Sequence, residues 1–245
     1  MPRPSEAPAS DAAVGQQGLL RRFSRGERWT HRTFGLLMGG CLITAALLYV
    51  PVLSGLIGQR DVVKTVHEVC GFALPVPLIA GYLASRDLRS DVGRLNRFRP
   101  ADWAWLRPRA QRFLLPVGKF NAGQKLYAAF VLGSVLVMLG TGIVLTFPDP
   151  FADALRTGAT FTHDWWALAL TLLILGHWYM AANDAEARRG MRTGVVRIEW
   201  ARAEHSAWAA EAAARTEVRD DATVSDPDKA AKHPAADPDL PDPSD

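Results

Sequence analysis

Of the six histidines in the chain, His31, His67, His163 and His177 fall within or beside long apolar stretches. An ionisable ring in such a place is costly, so each marks a candidate functional site. A buried imidazole can bind a metal through one nitrogen. It can also simply hydrogen-bond to water or a lipid headgroup, and that reading stays open for His31, His67 or His163 taken singly. Their spacing adds more. His163 and His177 are fourteen residues apart, about 21 Å along a helix and close to four whole turns, so both project from nearly one face. If consecutive apolar stretches cross a membrane in alternating directions, His67 shares a depth with His163 and His31 with His177. Two imidazoles facing each other from separate helices form a bis-histidine cradle for a b-type haem. Two such cradles at different depths would carry electrons across a bilayer. Zinc fits less well, because no further Cys, Asp or Glu converges on either pair. Glu68 and Asp164 adjoin His67 and His163, but adjacent helical residues point apart. His205 and His233 lie in a polar region and read as solvated. The two cysteines, Cys41 and Cys70, sit in apolar blocks, which argues against a disulfide framework or a thiolate site. No Cys-x-x-Cys-His stretch occurs, so covalent c-type attachment is excluded. No catalytic triad is legible.

The elements that must carry these rings stand out in the charge pattern. The 245 residues have a net charge of +3 and a mean hydropathy near zero, yet apolar residues gather in four blocks with charge between them. The blocks run from about Thr33 to Leu56, Val62 to Ser85, Lys125 to Asp149 and Phe161 to Ala182. Each meets the roughly 17–25 residues that a membrane-spanning helix needs, and backbone in lipid must satisfy its own hydrogen bonds, which makes such segments helical. Pro75 and Pro77 predict a kink in the second. Gly39, Gly40, Gly71, Gly81, Gly133, Gly140 and Gly142 suit close helix contact or a flat cofactor lying against backbone. The polar preface before Thr33 is too long for a secretory signal, so the first block reads as an uncleaved span. Arg and Lys crowd the N-terminal segment, the connection between spans two and three, and the region after span four, which predicts both termini in the cytoplasm. The expected architecture is all-α: a membrane four-helix bundle over residues 19–184, then a cytoplasmic helical segment over 185–217. Residues 1–18 and the Asp/Pro-rich 218–245 are expected to be disordered tails. No basic stripe interleaved with aromatics is present, which argues against nucleic acid as a partner; the lipid membrane is the expected environment.

The segment VGKFNAGQKLYAAF, Val117 to Phe130, resembles the Gly-Lys-Tyr-Asn-Ala-Gly-Gln-Lys motif of the gamma subunit of respiratory formate dehydrogenase, a diheme cytochrome b. The His-x-x-x-Gly pattern from His67 to Gly71 is similar, as are the His163–His177 spacing followed by Trp178, Tyr179 and Met180, and the stretch Gly190 to Trp200. The resemblance covers roughly Arg21 to Glu211. It departs at His31-Arg32, where the family has His-Trp, and in the tails. It implies two haem b groups, one held by His67 and His163 near the outer face and one by His31 and His177 near the inner. It also implies a menaquinone site at the cytoplasmic side lined by Asn121, Gly123 and Gln124. Asn121 has a second reading, as a cap of the third helix. The implied partners are an iron–sulfur (beta) subunit and, through it, a molybdopterin catalytic subunit, with the complex in the bacterial inner membrane as part of a respiratory chain. The enzymatic act expected of this chain is quinone reduction alone. Two other readings stand beside it: the cytochrome b subunit of a hydrogenase or thiosulfate reductase, and a transporter or scaffold without cofactor.

Overall fold

The computed structural model describes residues 18–107 and 115–225. The expected tails therefore lie outside the described residues, apart from Gly18 and 218–225. The described chain forms two compact units, one of residues 25–97 and 123–184, the other of 18–24, 98–122 and 185–225.

The larger unit holds four helical stretches long and apolar enough to cross a membrane. Helix α1 spans Arg25–Tyr49 and short α2 spans Pro51–Ile57. The expected first span ran unbroken to Leu56; instead it stops at Tyr49, because Pro51 has no amide proton to continue the ladder and suits the first turn of a new helix. The second span is divided into α3 (Arg60–Ala73) and α4 (Pro75–Ala84). The break falls at Leu74, ahead of Pro75, and the Leu74 amide donates to the Gly71 carbonyl at 3.3 Å. Helix α5 (Arg86–Leu95) follows, capped by the Ser85 hydroxyl, which accepts from the Leu88 amide at 3.2 Å. The third span is α7 (Ala122–Thr146) and the fourth is α8 (Asp153–Asn183), which begins eight residues before the expected Phe161.

Helix α1 packs along α3 and α4. The contact with α4 is closest at Gly81, where a Cβ would stand 2.1 Å from the Thr30 hydroxyl oxygen. Met38, Leu74, Val135 and Ile174, one from each span, meet in a buried cluster with Phe34, Leu37 and Leu42 against it. Elsewhere the spans bury little: in the most apolar window of three of them only 11% of residues are covered by protein. Apolar surface left so open requires lipid, or a large apolar ligand, to cover it.

The smaller unit is built on a two-stranded antiparallel ladder, β1 (Leu19–Arg21) with β2 (Val195–Arg197), in which Leu20 pairs with Val196. It also contains α6 (Pro100–Trp105), α9 (Ala185–Thr193), α10 (Ile198–Glu204) and α11 (Ser206–Ser225). A simple helix or helix pair was expected after residue 185; β2 interrupts it, and Val196 becomes fully buried with Ala201, Trp208 and Ala209. Gly194 makes the turn into β2 with φ of +94°, a conformation that costs glycine nothing, and its carbonyl accepts from the amides of Arg22 and Phe23 at 2.7 and 3.0 Å. Helix α11 continues to Ser225, past Val218 where the tail was expected to start; its alanine-rich sequence favours helix, and Glu211 pairs with Arg215 one turn on.

Candidate functional site

Each of the four span histidines occupies a helix: His31 on α1, His67 on α3, and His163 and His177 on α8. The fold brings them together in two couples. The ring centres of His67 and His163 are 6.3 Å apart, and those of His31 and His177 are also 6.3 Å apart. Neither separation is a stacking contact, and the ring planes are inclined at 67° and 53°. A metal–imidazole bond of about 2.0 Å, added to the roughly 1.1 Å from that nitrogen to its ring centre, puts two imidazoles on opposite sides of one metal about 6 Å centre to centre. Both couples have a spacing at which two imidazoles could bind one metal between them. Among the described residues there is no group of three or more His, Cys, Asp or Glu that could hold a bare metal ion. Two protein donors suffice when a planar macrocycle supplies the other four, so the donor set fits a haem and not a zinc site.

The hydrogen bonds at the His67–His163 couple point the same way. His67 Nδ1 lies 2.9 Å from the Thr44 hydroxyl and 3.2 Å from the Cys41 carbonyl. A carbonyl only accepts, so the ring carries its proton on Nδ1 and leaves the Nε2 lone pair free. His163 Nδ1 lies 2.8 Å from the Thr141 hydroxyl of α7. At the other couple, Tyr127 of α7 stacks on His177 with ring centres 5.0 Å apart and planes at 23°.

On α8, Trp166 comes one turn after His163 and packs face to face with Phe130, ring centres 5.8 Å apart and planes at 6°. Its indole Nε1 donates to the Ser134 hydroxyl at 2.8 Å, and Ser134 in turn donates to the Phe130 carbonyl. This contact ties α7 to α8 between the turns that carry the two α8 histidines.

Gly123 and Gln124 lie in the first turn of α7, and Asn121 immediately precedes it. Tyr127 stands one turn beyond Gln124 on that helix, so positions 124 and 127 share a face. The sequence offered no pointer to Thr44, Thr141, Tyr127 or Trp166. A threonine 22 or 23 residues before a histidine is not a pattern, because its meaning arises only when two helices meet.

His205 corrects an expectation. It was read as solvated, yet it is buried at 3% exposure in the smaller unit. Its Nδ1 donates to the Gly118 carbonyl at 2.7 Å, and its Nε2 accepts from Arg22 Nη2 at 3.1 Å. The polar neighbours Glu204 and Ser206 concealed this; Trp200 and Trp208, with ring centres 5.1 and 6.2 Å away, enclose the ring. Burial, and then the Arg22 guanidinium, lower its pKa to about 3, with the bond to Gly118 opposing them. The guanidinium lies 4.7 Å from the centre of the Trp200 ring and donates to the Lys119 carbonyl. His205 is thus a structural residue joining the 115–122 segment to α11. His233 lies outside the described residues.

Comparison with known proteins adds independent findings. The family model described as prokaryotic cytochrome b561 matches residues 22–193. The cytochrome b556(Fdn) subunit of the nitrate-inducible formate dehydrogenase from Escherichia coli (strain K12) is 32% identical over 95 residues, covering 38% of this chain and 44% of the relative. Relatives of the same description from Escherichia coli O157:H7 and Shigella flexneri match to the same extent. The match spans less than half the length of these relatives.

Proposed function

The chain belongs to the prokaryotic cytochrome b561 family, and from that premise we propose that it is the membrane-anchoring diheme cytochrome b subunit of a formate dehydrogenase-type complex. The observation that carries this reading is the pair of imidazole couples, each 6.3 Å between ring centres and each drawn from two different helices. His67 and His163, whose Nδ1 atoms are engaged in hydrogen bonds, would hold one haem b through Nε2, and His31 and His177 would hold the other. Bound there, the haems supply one-electron centres that link an iron–sulfur donor at one membrane face to menaquinone at the other. The helices fix the separation of each couple.

The density of Lys and Arg around the N-terminal segment, the 86–125 connection and the region after Asn183 supports an orientation with both termini in the cytoplasm. In that orientation His67 and His163 lie toward the outer face, and His31 and His177 toward the inner. The quinone site then falls at the cytoplasmic start of α7. Asn121 and Gln124 offer amide donors and acceptors to the two quinone carbonyls, and Gly123 lets the ring approach the backbone. Reduction takes two electrons from the partner and two protons from the cytoplasm to yield the quinol, so charge is separated if the partner oxidises its substrate outside. The formate dehydrogenase relatives and the Asn121–Lys125 run favour this type of complex over hydrogenase or thiosulfate reductase partners.

A pyridine haemochrome assay on the purified protein tests the reading. Two equivalents of haem b per chain, with low-spin bands after dithionite, are expected. A colourless protein, or one haem per chain, would sink it.

A further inference from the structure

The two threonines at the His67–His163 couple repeat one arrangement on two helix pairs. Thr44 of α1 lies 2.7 Å from the carbonyl of Gly40, four residues back, and 2.9 Å from Nδ1 of His67 on α3. Thr141 of α7 lies 2.8 Å from the carbonyl of Val137, also four residues back, and 2.8 Å from Nδ1 of His163 on α8. A hydroxyl has one proton. In both cases a carbonyl at the same helical offset takes it, which leaves an oxygen lone pair to receive Nδ1–H from the imidazole. The threonines therefore select the tautomer whose Nε2 is bare and orient the ring from the neighbouring helix. At the other couple, neither His31 nor His177 has a hydrogen bond to its ring among the described residues; the contact there is the Tyr127 stack.

We propose that Thr44 and Thr141 are positioning residues for the His67–His163 haem, and that their hydrogen bonds lower its reduction potential. This rests on the diheme reading above. A donor N–H engaged by an acceptor gives the imidazole more imidazolate character and makes Nε2 the stronger base. A stronger axial donor favours ferric over ferrous iron, which moves the potential down. The two positions are not equivalent. His67 retains the Cys41 carbonyl at 3.2 Å as a second acceptor, whereas His163 has the Thr141 hydroxyl alone among the described residues. Loss of the Thr141 hydroxyl therefore has the larger effect. With the potential of this couple held down, an electron arriving there moves downhill to the His31–His177 couple.

The test is a redox titration of the purified, haem-loaded protein, followed by optical and low-temperature EPR spectra, in Thr141→Val, Thr44→Val and Thr141→Ser variants. The His177→Ala variant, which keeps only the His67–His163 haem, identifies which potential belongs to which couple. Valine keeps the shape of threonine without the hydroxyl; serine keeps the hydroxyl. Thr141→Val is expected to retain two haems, to shift the potential of the His67–His163 haem upward and alter its low-spin EPR signal, and to leave the other haem unmoved. Thr44→Val shifts the same potential upward by less, and Thr141→Ser returns it to the wild-type value. Should Thr141→Val lose that haem, Thr44→Val carries the measurement, because its histidine keeps an acceptor. A haem-replete Thr141→Val and Thr44→Val with unmoved potentials, or a shift confined to the other haem, overturns the proposal and leaves the diheme reading intact. A wild-type protein without haem overturns both.

Discussion

Replacing Gly81 with alanine perturbs the His31–His177 couple without touching a ligand. An alanine Cβ at this position would meet the Thr30 hydroxyl oxygen at 2.1 Å, the Leu88 Cδ2 at 2.9 Å and the Thr30 Cβ at 3.1 Å. Leu88 can give way at its end, but Thr30 is buried on the facing turn of α1 and presents two atoms. Reaching ordinary contact at 3.4 Å requires the Thr30 oxygen and the new Cβ to separate by about 1.3 Å, at the roughly 1–3 kcal/mol typical of overpacking. Thr30 immediately precedes His31, so the displacement is passed to that histidine. Metal–ligand distances in proteins fall within about 0.2 Å of their standard values, so a retreat of about 1 Å or more by His31 would leave a metal held by this couple without one of its two protein donors. On the diheme reading proposed above, Gly81→Ala should therefore lower haem content from two equivalents toward one, read by pyridine haemochrome, and remove the low-spin signal of the His31–His177 haem alone. Thr30→Ala removes the atom at 2.1 Å, and the Gly81→Ala/Thr30→Ala pair should regain both haems even where the single variant accumulates poorly. Two full equivalents with unaltered spectra in Gly81→Ala, or no recovery in the pair, would refute the reasoning.

Three more outcomes follow from the same geometry. His177→Ala should lose one haem equivalent and keep the His67–His163 haem reducible by dithionite; two equivalents in that variant count against the assignment. Asn121→Ala should preserve both haems and weaken binding of a menaquinone analogue several-fold in a titration followed by haem absorbance, whereas unchanged affinity returns Asn121 to capping α7. His205 has a folded pKa of about 3 against an ordinary 6.5, so between those values the unfolded segment takes up a proton that the folded one refuses. Its unit should lose stability as pH falls from 6.5 toward 3, at roughly 1.4 kcal/mol per pH unit; hydrogen-exchange protection around Trp208 should track this, and His205→Gln should flatten the dependence.

Much of the plan was readable from the chain alone. Four apolar stretches of membrane-spanning length follow from the cost of burying charge and unpaired backbone in hydrocarbon, and the structure has four such helices among the described residues. The fourteen-residue interval put His163 and His177 on one face of α8, since helical period is a property of the chain itself. Pairing His67 with His163 and His31 with His177 was also inferable, because spans that alternate in direction leave few partners at each depth. Local proline chemistry was read correctly at Pro75 and missed at Pro51, where a tight turn and new helix replaced a continuous span.

Other features had no linear signature. The 6.3 Å spacing of each couple depends on how far apart whole helices stand, which side-chain volumes such as Thr30 against Gly81 decide. Thr44 and Thr141 acquire their roles only when a neighbouring helix presents a ring nitrogen. His205 looked solvated beside Glu204 and Ser206; Trp200 and Trp208, close by in sequence, enclose it only because Arg22, 183 residues away, and the Gly118 carbonyl take up its two ring nitrogens. The strand β2 is three residues long and exists because β1, over 170 residues earlier, supplies its hydrogen bonds. Periodicity and the cost of burial act along the chain and can be read from it. Distances, tautomers and long-range partners belong to pairs of segments, so they were settled only when the chain folded.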